Sequence, residues 1–475
     1  MRKPNFLFIL IDDLGWRDLS CYGSSFYETP HLDRLASEGM VFTDAYAACP
    51  VCSPTRASIL SGKYPANVGV TNFIGKAHPS RGKLIDAPYI DHLPLEETSL
   101  ASALKEDGYT TWHVGKWHLG DAPYYPEKQG FDVNVGGCSW GQPKNGYFSP
   151  WGIENLEDGP PGEYLTDRLA DEAIRLIRTN DGQPFFLNMD FYSVHTPIQA
   201  KENVIAKYEK KAVELGLDKL RTFAEGENFP CEHKKDRRVI RRLVQSDPVY
   251  AAMIEALDEN IGRLLQALDE TGQADNTVVF FTSDNGGLAT AEGSPTCNSP
   301  LAEGKGWMYE GGTREPLIVR WPHVVEPGSQ CTVPVTSPDF YPTMLEMAGL
   351  EPRPEQHQDG VSIVPLLKGG TTVEREAIFW HYPHYGNQGG TPGSSVRMGD
   401  YKLIEFFEDA RLELYNLRDD LSEATNLVDL EPERARRLQT ALAEWRAAAE
   451  AKSPRPNPEY APGNETENRR NRDAS

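Results

Sequence analysis

The feature that most constrains the fold is an alternation of short strand-like runs with helical patterns through the first three quarters of the chain. Four runs have the length and apolar character of buried strands: residues 6–11, 110–114, 184–190 and 277–282. Residues 165–179, with Thr166 as the expected cap, and residues 250–268 space their apolar side chains three and four apart, as helices do. Strands separated by helices predict an α/β fold with a mostly parallel sheet covered on both faces.

Polar clusters follow three of these strands. Asp12-Asp13 follow the strand predicted at residues 6–11, and Asp284-Asn285 follow the strand predicted at residues 277–282. His195 lies shortly after the strand predicted at residues 184–190. Ligands in open α/β sheets bind outside the carboxyl ends of the strands, so these distant residues can meet at one site. Three carboxylates and an amide oxygen suit Ca²⁺ or Mg²⁺ and not zinc. The alternative is that both clusters are turn residues.

A smaller second unit is expected over residues 372–452, after a catalytic unit formed by residues 1–371. Strand-like runs at 377–380, 401–404 and 412–417 precede a helical pattern at 431–449. This order predicts a small antiparallel sheet with one helix. Residues 453–475 are rich in Pro, Asn, Glu and Arg and are predicted to form a mobile tail.

The composition narrows the possible functions. The chain has 70 acidic against 48 basic residues, a formal net charge of −22. That balance argues against a nucleic-acid partner, and an anionic substrate would need a local positive pocket. The seven cysteines, an odd number, fit a disulfide framework poorly. Cys49 and Cys52 have C-x-x-C spacing, but their surroundings do not resemble a thioredoxin-like redox site.

The amino-terminal residues resemble the start of a signal peptide, with Arg2 and Lys3 before an apolar run. However, the run is short, ends in two aspartates and lacks a small-residue cleavage site, so a first buried strand is favoured. We therefore expect a cytoplasmic protein, or a periplasmic or secreted one whose export signal was removed. No stretch of the sequence is suited to span a membrane, and the oligomeric state stays open.

The most informative segment is C-S-P-T-R at residues 52–56. Pro54 is compatible with a first helical turn, residues 57–61 continue a helix, and Gly62 can end it. Cys52 then lies at a helix N-terminus, where free N–H groups favour negative charge, and Arg56 projects one turn further on. The alternative is a structural thiol with a lowered pKa.

This segment, together with A-S-I-L-S-G at 57–62, resembles the signature of type I sulfatases, and the resemblance covers roughly residues 4–430. It implies an alkaline-phosphatase-like fold. It also implies that a separate formylglycine-generating maturation enzyme oxidises Cys52 to formylglycine. Cys49 lacks a Pro two residues later and is not the modified residue. The resemblance further implies one Ca²⁺, with Mg²⁺ less favoured, held by Asp12, Asp13, residue 52, Asp284 and Asn285.

Five further side chains match positions that type I sulfatases use: Arg56, Lys116, His118, His195 and Lys305. Taken singly, such residues are more often structural or solvated. The resemblance implies that Lys116 and Lys305 hold sulfate oxygens and that Arg56 steadies the nucleophile and the metal ligands. It makes His195 the donor to the leaving oxygen and His118 the base acting on the formylglycine diol. Together they would supply the positive field that the net charge lacks.

Two aromatic segments are candidates for substrate recognition, residues 136–150 and residues 380–385. Their predicted substrate-binding residues are Ser139, His381 and His384, with Arg397 nearby, in addition to Lys116, His195 and Lys305. Aromatic rings with His and Arg suit sugars, while ordinary interdomain packing is an equal alternative. The segments resemble those of bacterial carbohydrate sulfatases, including galactose- and N-acetylgalactosamine-directed types.

The expected activity is therefore hydrolysis of a sulfuric ester on a sulfated oligosaccharide or polysaccharide fragment, with no nucleic-acid or membrane partner. One alternative is an arylsulfatase, or a phosphonate or phosphate monoester hydrolase of the same superfamily. An alternative of another class is a catalytically inactive glycan-binding relative.

Overall fold

The computed structural model describes residues 3–75 and 82–460. The strands are β1 Asn5–Ile11, β2 Met40–Tyr46, β3 Leu84–Ile85, β4 Thr110–Gly115, β5 Val133–Val135, β6 Phe185–Asp190, β7 Phe223–Asn228, β8 Arg238–Arg242, β9 Thr277–Ser283, β10 Arg314–Arg320, β11 Ser329–Cys331, β12 Val335–Thr336, β13 Ile378–Tyr382, β14 Gly393–Met398, β15 Tyr401–Phe406, β16 Leu412–Asn416 and β17 Arg455–Pro456. The α-helices are α1 Pro30–Glu38, α2 Cys52–Ser61, α3 Pro65–Val68, α4 Leu100–Glu106, α5 Leu165–Thr179, α6 Glu202–Glu214, α7 Pro248–Glu270, α8 Glu310–Thr313, α9 Phe340–Ala348, α10 Val364–Leu367 and α11 Pro432–Ala448.

The large sheet has the strand order β11-β2-β10-β9-β1-β6-β4-β5, with β12 also paired to β2. Strands β9, β1, β6, β4 and β5 run parallel, whereas β10 is antiparallel to both of its neighbours. Every residue of β1 and β9 is buried, as expected for central strands covered on both faces. The predicted mixed, mostly parallel sheet flanked by helices is confirmed.

The longest helix, α7, packs against α1, α5 and α6 beside the large sheet. Its N-cap is Asp247, whose side chain accepts bonds from the N–H groups of Val249 and Tyr250, and Pro248 begins the helix. Its buried side chains join those of β1, β6 and β9 in one core. The parallel strands that precede the polar clusters therefore share a hydrophobic core with this helix.

The smaller sheet, β13-β14-β15-β16, is antiparallel throughout, and α11 packs on it through Leu438 and Leu442. This agrees with the predicted small sheet and helix. Part of the predicted tail is ordered in the structure, because Arg455–Pro456 forms an antiparallel pair with Leu84–Ile85. Residues 461–475 of that tail lie outside the described residues.

Candidate active site

The candidate site lies where four adjacent parallel strands, β9, β1, β6 and β4, end. Ile11 of β1 is level with Ser283 of β9, so Asp12-Asp13 and Asp284-Asn285 emerge side by side. Gly115, the last residue of β4, is level with Asp190 on β6, and Lys116 follows it directly. The parallel register therefore brings together clusters that are far apart in the sequence.

Cys52 is the first residue of α2 and is buried. Val51, the N-cap, provides no side-chain hydrogen bond, so the first N–H groups of the helix are available to a ligand. The Cys52 Sγ lies 3.2 Å from Nδ1 of His118. Because the other ring nitrogen of His118 bonds the carbonyl oxygen of Ile74, that nitrogen carries the proton and Nδ1 faces residue 52 as an acceptor.

Two lysines pair with the two aspartates that end β1. Lys116 Nζ lies 2.6 Å from Asp12 Oδ2, and Lys305 Nζ lies 2.7 Å from Asp13 Oδ1. All four side chains are buried. Burial alone would raise the pKa of Asp13, but Lys305 and His195 outweigh it and hold the pKa below its usual range. The two lysines that an anionic substrate would need are thus present, and in this structure each is balanced by a buried carboxylate.

Arg56 connects α2 to the ends of β9 and β6. Its Nε donates to Asp284 Oδ2 at 2.8 Å, and its Nη1 donates to Asp190 Oδ2 at 3.1 Å and to the carbonyl of Lys116 at 3.1 Å. The guanidinium is 2% exposed, which makes these charge-assisted bonds strong. Arg56 therefore fixes residue 52, one helical turn away, relative to the sheet.

His195 follows β6, and its Nε2 lies 3.6 Å from Asp13 Oδ2. Its Nδ1 bonds the carbonyl oxygen of Thr196 at 3.0 Å, which orients the ring. Burial and the neighbouring Lys305 lower the pKa of His195 to about 3, so the ring is neutral at neutral pH before an anion binds. A bound anion would oppose the lysine charge and raise this pKa.

The acidic residues fit a metal ion. Ligand atoms of Asp12, Cys52 and Asp284 all lie within 4.8 Å of one another, as do those of Asp12, Asp13 and His195. The Oδ1 atoms of Asp12 and Asn285 are buried without a hydrogen-bond partner. Burial raises the pKa of Asp12 well above its usual value, with Asp284 adding to the rise. A cation among these oxygens would offset that cost, and the donor set favours a hard ion such as Ca²⁺.

The predicted substrate residues are placed differently from one another. Ser139 is half-buried. The residue before it, Cys138, accepts a hydrogen bond from the N–H of His118 through its carbonyl oxygen. His384 is buried and bonds Thr71 at 2.9 Å, three residues before the His118 partner Ile74. Each is therefore linked to His118 through a neighbouring segment of the chain.

The other two predicted substrate residues have interior partners. The ring nitrogens of His381 bond Ser394 Oγ at 2.7 Å and the carbonyl oxygen of Lys452 at 2.8 Å. Arg397 pairs with Asp44 at 2.8 Å and also bonds Tyr46. The Arg397 contacts fit the interdomain packing that was the alternative for this segment, whereas both partners of His381 lie within the smaller unit. None of these partners belongs to the cluster around Cys52.

Asp190 is a site residue that the sequence analysis did not single out. It is buried against Arg56, and Asn188 donates to its Oδ2 at 3.1 Å. Burial raises the pKa of Asp190 to about 7, with Arg56 acting in the opposite direction. The available signal was its place as the acidic last residue of a strand beside β1.

The fold and the site together define a hydrolase of the alkaline-phosphatase-like class, with a buried cysteine at the start of a helix among lysines, histidines and acidic oxygens. The chain matches the Sulfatase family over residues 4–350 and the family described as N-sulphoglucosamine sulphohydrolase, C-terminal, over residues 303–448. It is 35% identical to a Formosa agariphila protein named Sulfatase, over 91% of this chain and 85% of the relative.

Two further relatives point the same way. The chain is 32% identical to the human N-acetylgalactosamine-6-sulfatase, over 80% of this chain and 68% of the relative. A crystal structure of Ps i-CgsB in complex with k-i-k-neocarrahexaose is similar with a TM-score of 0.75 and 28% identity, over 100% of this chain and 98% of that one. The chain belongs to the sulfatase family, whose members generally use a metal and formylglycine and hydrolyse sulfuric esters. Among the residues described, no helix is long and apolar enough to cross a bilayer.

Proposed function

We propose that this sulfatase removes sulfate from a sulfated carbohydrate, of the galactose or N-acetylgalactosamine type, with residue 52 acting as formylglycine and Ca²⁺ as the metal. The observation that carries the proposal is the setting of Cys52. It begins a helix, faces a histidine acceptor 3.2 Å away and shares its space with acidic oxygens. The sugar type is supported by the N-acetylgalactosamine-6-sulfatase relative and by the oligosaccharide-bound structural neighbour.

Formylglycine, hydrated to a geminal diol, would supply one hydroxyl to attack sulfur and a second whose deprotonation releases sulfate. His118 Nδ1 would accept that second proton, a role supported by its contact with residue 52 and by the bond of the other ring nitrogen to Ile74. Unmodified Cys52 does not provide this chemistry, and burial raises the pKa of its thiol, which disfavours the thiolate.

Lys116 and Lys305, which pair with Asp12 and Asp13 in this structure, would bind sulfate oxygens beside the acidic cluster. Their charge would stabilise the negative oxygens of the transition state in a buried site. The Nδ1 of His195 is bound to a carbonyl oxygen, which leaves Nε2 to face the substrate. Once the bound anion raises the pKa of His195, this nitrogen would protonate the leaving alcohol oxygen. Such general acid catalysis typically increases a rate about 10²–10⁴-fold. Asp12, Asp13, Asp284 and Asn285 would hold Ca²⁺, which would supply positive charge against the anionic reactants.

Replacing Cys52 by Ser should abolish turnover and leave the fold intact, because a serine sulfate ester cannot expel sulfate through a second hydroxyl. Mass spectrometry of the tryptic peptide containing residue 52, from protein co-expressed with a maturation enzyme, should show the aldehyde or its hydrate. The paired measurement is hydrolysis of 4-nitrophenyl sulfate by both proteins, with circular dichroism as the control for folding. Near-normal turnover by Cys52→Ser would refute the assignment.

The substrate is tested with a panel of sulfated monosaccharides and oligosaccharides, assayed by sulfate release. Activity confined to aryl sulfates would reject the carbohydrate proposal, and a higher kcat/KM on phenyl phosphate than on phenyl sulfate would favour the phosphate or phosphonate alternative. Binding of sulfated glycans without release of sulfate, by protein verified to carry formylglycine, would identify an inactive binding relative.

A further inference from the structure

A cleft of about 560 Å³ opens directly beside His195. Thr196 and Pro197 line it together with Glu292 and Gly293. Its volume lies within the range of roughly 300–1,000 Å³ that small-molecule sites occupy. His195 directly precedes Thr196, and its Nδ1 bonds the carbonyl oxygen of Thr196 at 3.0 Å, so the cleft begins one residue beyond the proposed proton donor.

The charge of the cleft is opposite to that of the sulfate-binding lysines. The charged side chains that line it, among the residues described, are the carboxylates of Asp247 and Glu292. Asp247 is already engaged, because Oδ1 caps α7 and Oδ2 lies 3.2 Å from Arg242. Glu292 is exposed, and its contacts with Gln388 at 3.3 Å and Lys234 at 3.8 Å both engage Oε1. Oε2 can therefore accept bonds from a ligand.

The loop that carries Glu292 is held in place. Glu292 and Ser294 have φ values of 54° and 45°, a region that non-glycine residues rarely adopt. Ser294 compensates with two bonds, from its N–H to Ala291 at 2.8 Å and from its hydroxyl to the carbonyl of Ile240 at 2.6 Å. The carboxylate is thus presented to the cleft by a fixed turn.

We propose that this cleft binds the sugar that carries the sulfate ester, and that Glu292 determines specificity in two ways. Its carboxylate accepts hydrogen bonds from sugar hydroxyls, and its negative charge disfavours a sugar with a second sulfate or a carboxylate. The preferred substrate is therefore monosulfated and otherwise neutral. This inference rests on the proposed function, and it narrows the substrate class.

The test compares the wild type with Glu292→Gln, which keeps the size and shape of the side chain. Substrates are a monosulfated galactose or N-acetylgalactosamine and its disulfated counterpart, assayed by sulfate release. We expect kcat/KM on the monosulfated sugar to fall roughly tenfold, because charge-assisted bonds to hydroxyls are weakened. The ratio of kcat/KM on the monosulfated sugar to kcat/KM on the disulfated sugar should also decrease. The decrease should exceed tenfold at low salt and be smaller at high salt.

Glu444→Gln, an exposed change on α11, is the matched control and should leave both values unchanged. Equal effects of Glu292→Gln on the two substrates, with no salt dependence, would overturn the proposal.

Calorimetric binding of the unsulfated sugar separates this proposal from the proposed function. If the wild type binds it and Glu292→Gln binds it roughly tenfold more weakly, the cleft is a sugar site even where no sulfate ester is hydrolysed. Binding that is absent, or unaffected by the substitution, would refute the cleft's role even where sulfatase activity is found.

Discussion

Asp190 is a buried carboxyl group whose charged form is destabilised by its surroundings. Burial raises its pKa to about 7 in the folded protein, against about 3.9 in an unfolded chain. The folded state therefore binds the proton more tightly, and the contribution of Asp190 to stability is fully present at low pH. It is lost as the pH rises from about 4 to about 7, at roughly 1.4 kcal/mol per pH unit.

Asp190→Asn should remove this dependence, because the amide keeps the shape of the side chain and does not titrate. We expect the free energy of unfolding of the variant, relative to wild type, to increase between pH 4 and pH 7. Urea unfolding of the metal-free proteins in chelator measures the difference. As the control, Asp181→Asn changes an exposed carboxylate and should leave the difference flat. A flat difference for Asp190→Asn would show that Arg56 compensates the buried charge completely.

At the scale of elements, the site depends on strand ends that place like charges close together. The ends of β1 and β9 contribute three buried carboxylates, and unpartnered oxygens remain on Asp12 and Asn285. A bound cation would join the two strands. Adding Ca²⁺ at 100 times its dissociation constant should therefore stabilise the protein by about 2.7 kcal/mol.

Thermal unfolding with chelator and with a Ca²⁺ titration measures this effect. The expected result is a higher melting temperature with Ca²⁺, and loss of that response in Asp284→Ala. Mg²⁺ at the same concentration should stabilise less, because its small octahedral shell fits a flexible, many-oxygen site less well. A melting temperature unaffected by Ca²⁺ would contradict the proposed metal site.

The elements themselves were largely predictable. Strand lengths and helical periods gave β1, β4, β6, β9, α5 and α7, because burial on one face or two leaves a local pattern. The cap of α5 was less accessible. The helix begins at Leu165 after Tyr164, and the hydroxyl of Thr166 instead bonds Ser193 Oγ. A tertiary contact with a residue 27 positions away competed with the local capping pattern.

The same limit applies to the site. Asp12, Asp13, Asp284 and Asn285 were accessible because each follows a recognisable strand. The role of Asp190 could not be predicted from the sequence. Its partner Arg56 lies 134 positions away, and only the sheet order brings the two together. For Arg397, the aromatic residues of the segment suggested a sugar site. In the structure its guanidinium instead pairs with the carboxylate of Asp44, 353 positions away in the sequence.

At the scale of the whole molecule, the smaller sheet is tied to the site by a buried charge cluster. Lys402 of β15 lies 2.9 Å from Glu310 Oε1 and 3.2 Å from Glu423 Oε1, and all three side chains are 0% exposed. Glu310 begins α8, whose Gly312 carbonyl accepts from the N–H of Gly286 at 3.1 Å. A Cβ at Gly286 would lie 1.8 Å from the carbonyl oxygen of Gly311, so this approach requires glycine. Asn285, a predicted metal ligand, immediately precedes it.

Lys402→Met should destabilise the protein by about 3–5 kcal/mol, because it removes the cation paired with buried Glu423 and leaves buried Glu310 with Arg314 alone. It should also weaken Ca²⁺ binding, since the α8 segment against Gly286 loses its anchor. Denaturant unfolding and calcium calorimetry measure the two effects. Arg436→Met, which removes an exposed pair with Glu433, is the matched control and should cost about 0–1 kcal/mol.

If Lys402→Met fails to fold, the triple variant Lys402→Met, Glu310→Gln, Glu423→Gln removes the uncompensated charges as well and should recover part of the stability. Its calcium affinity then reports on the anchor alone. Wild-type affinity in a folded triple variant would show that the smaller sheet stabilises the chain without positioning the site. Reduced affinity would show that Lys402, on a separate sheet, helps to set the geometry at the end of β9.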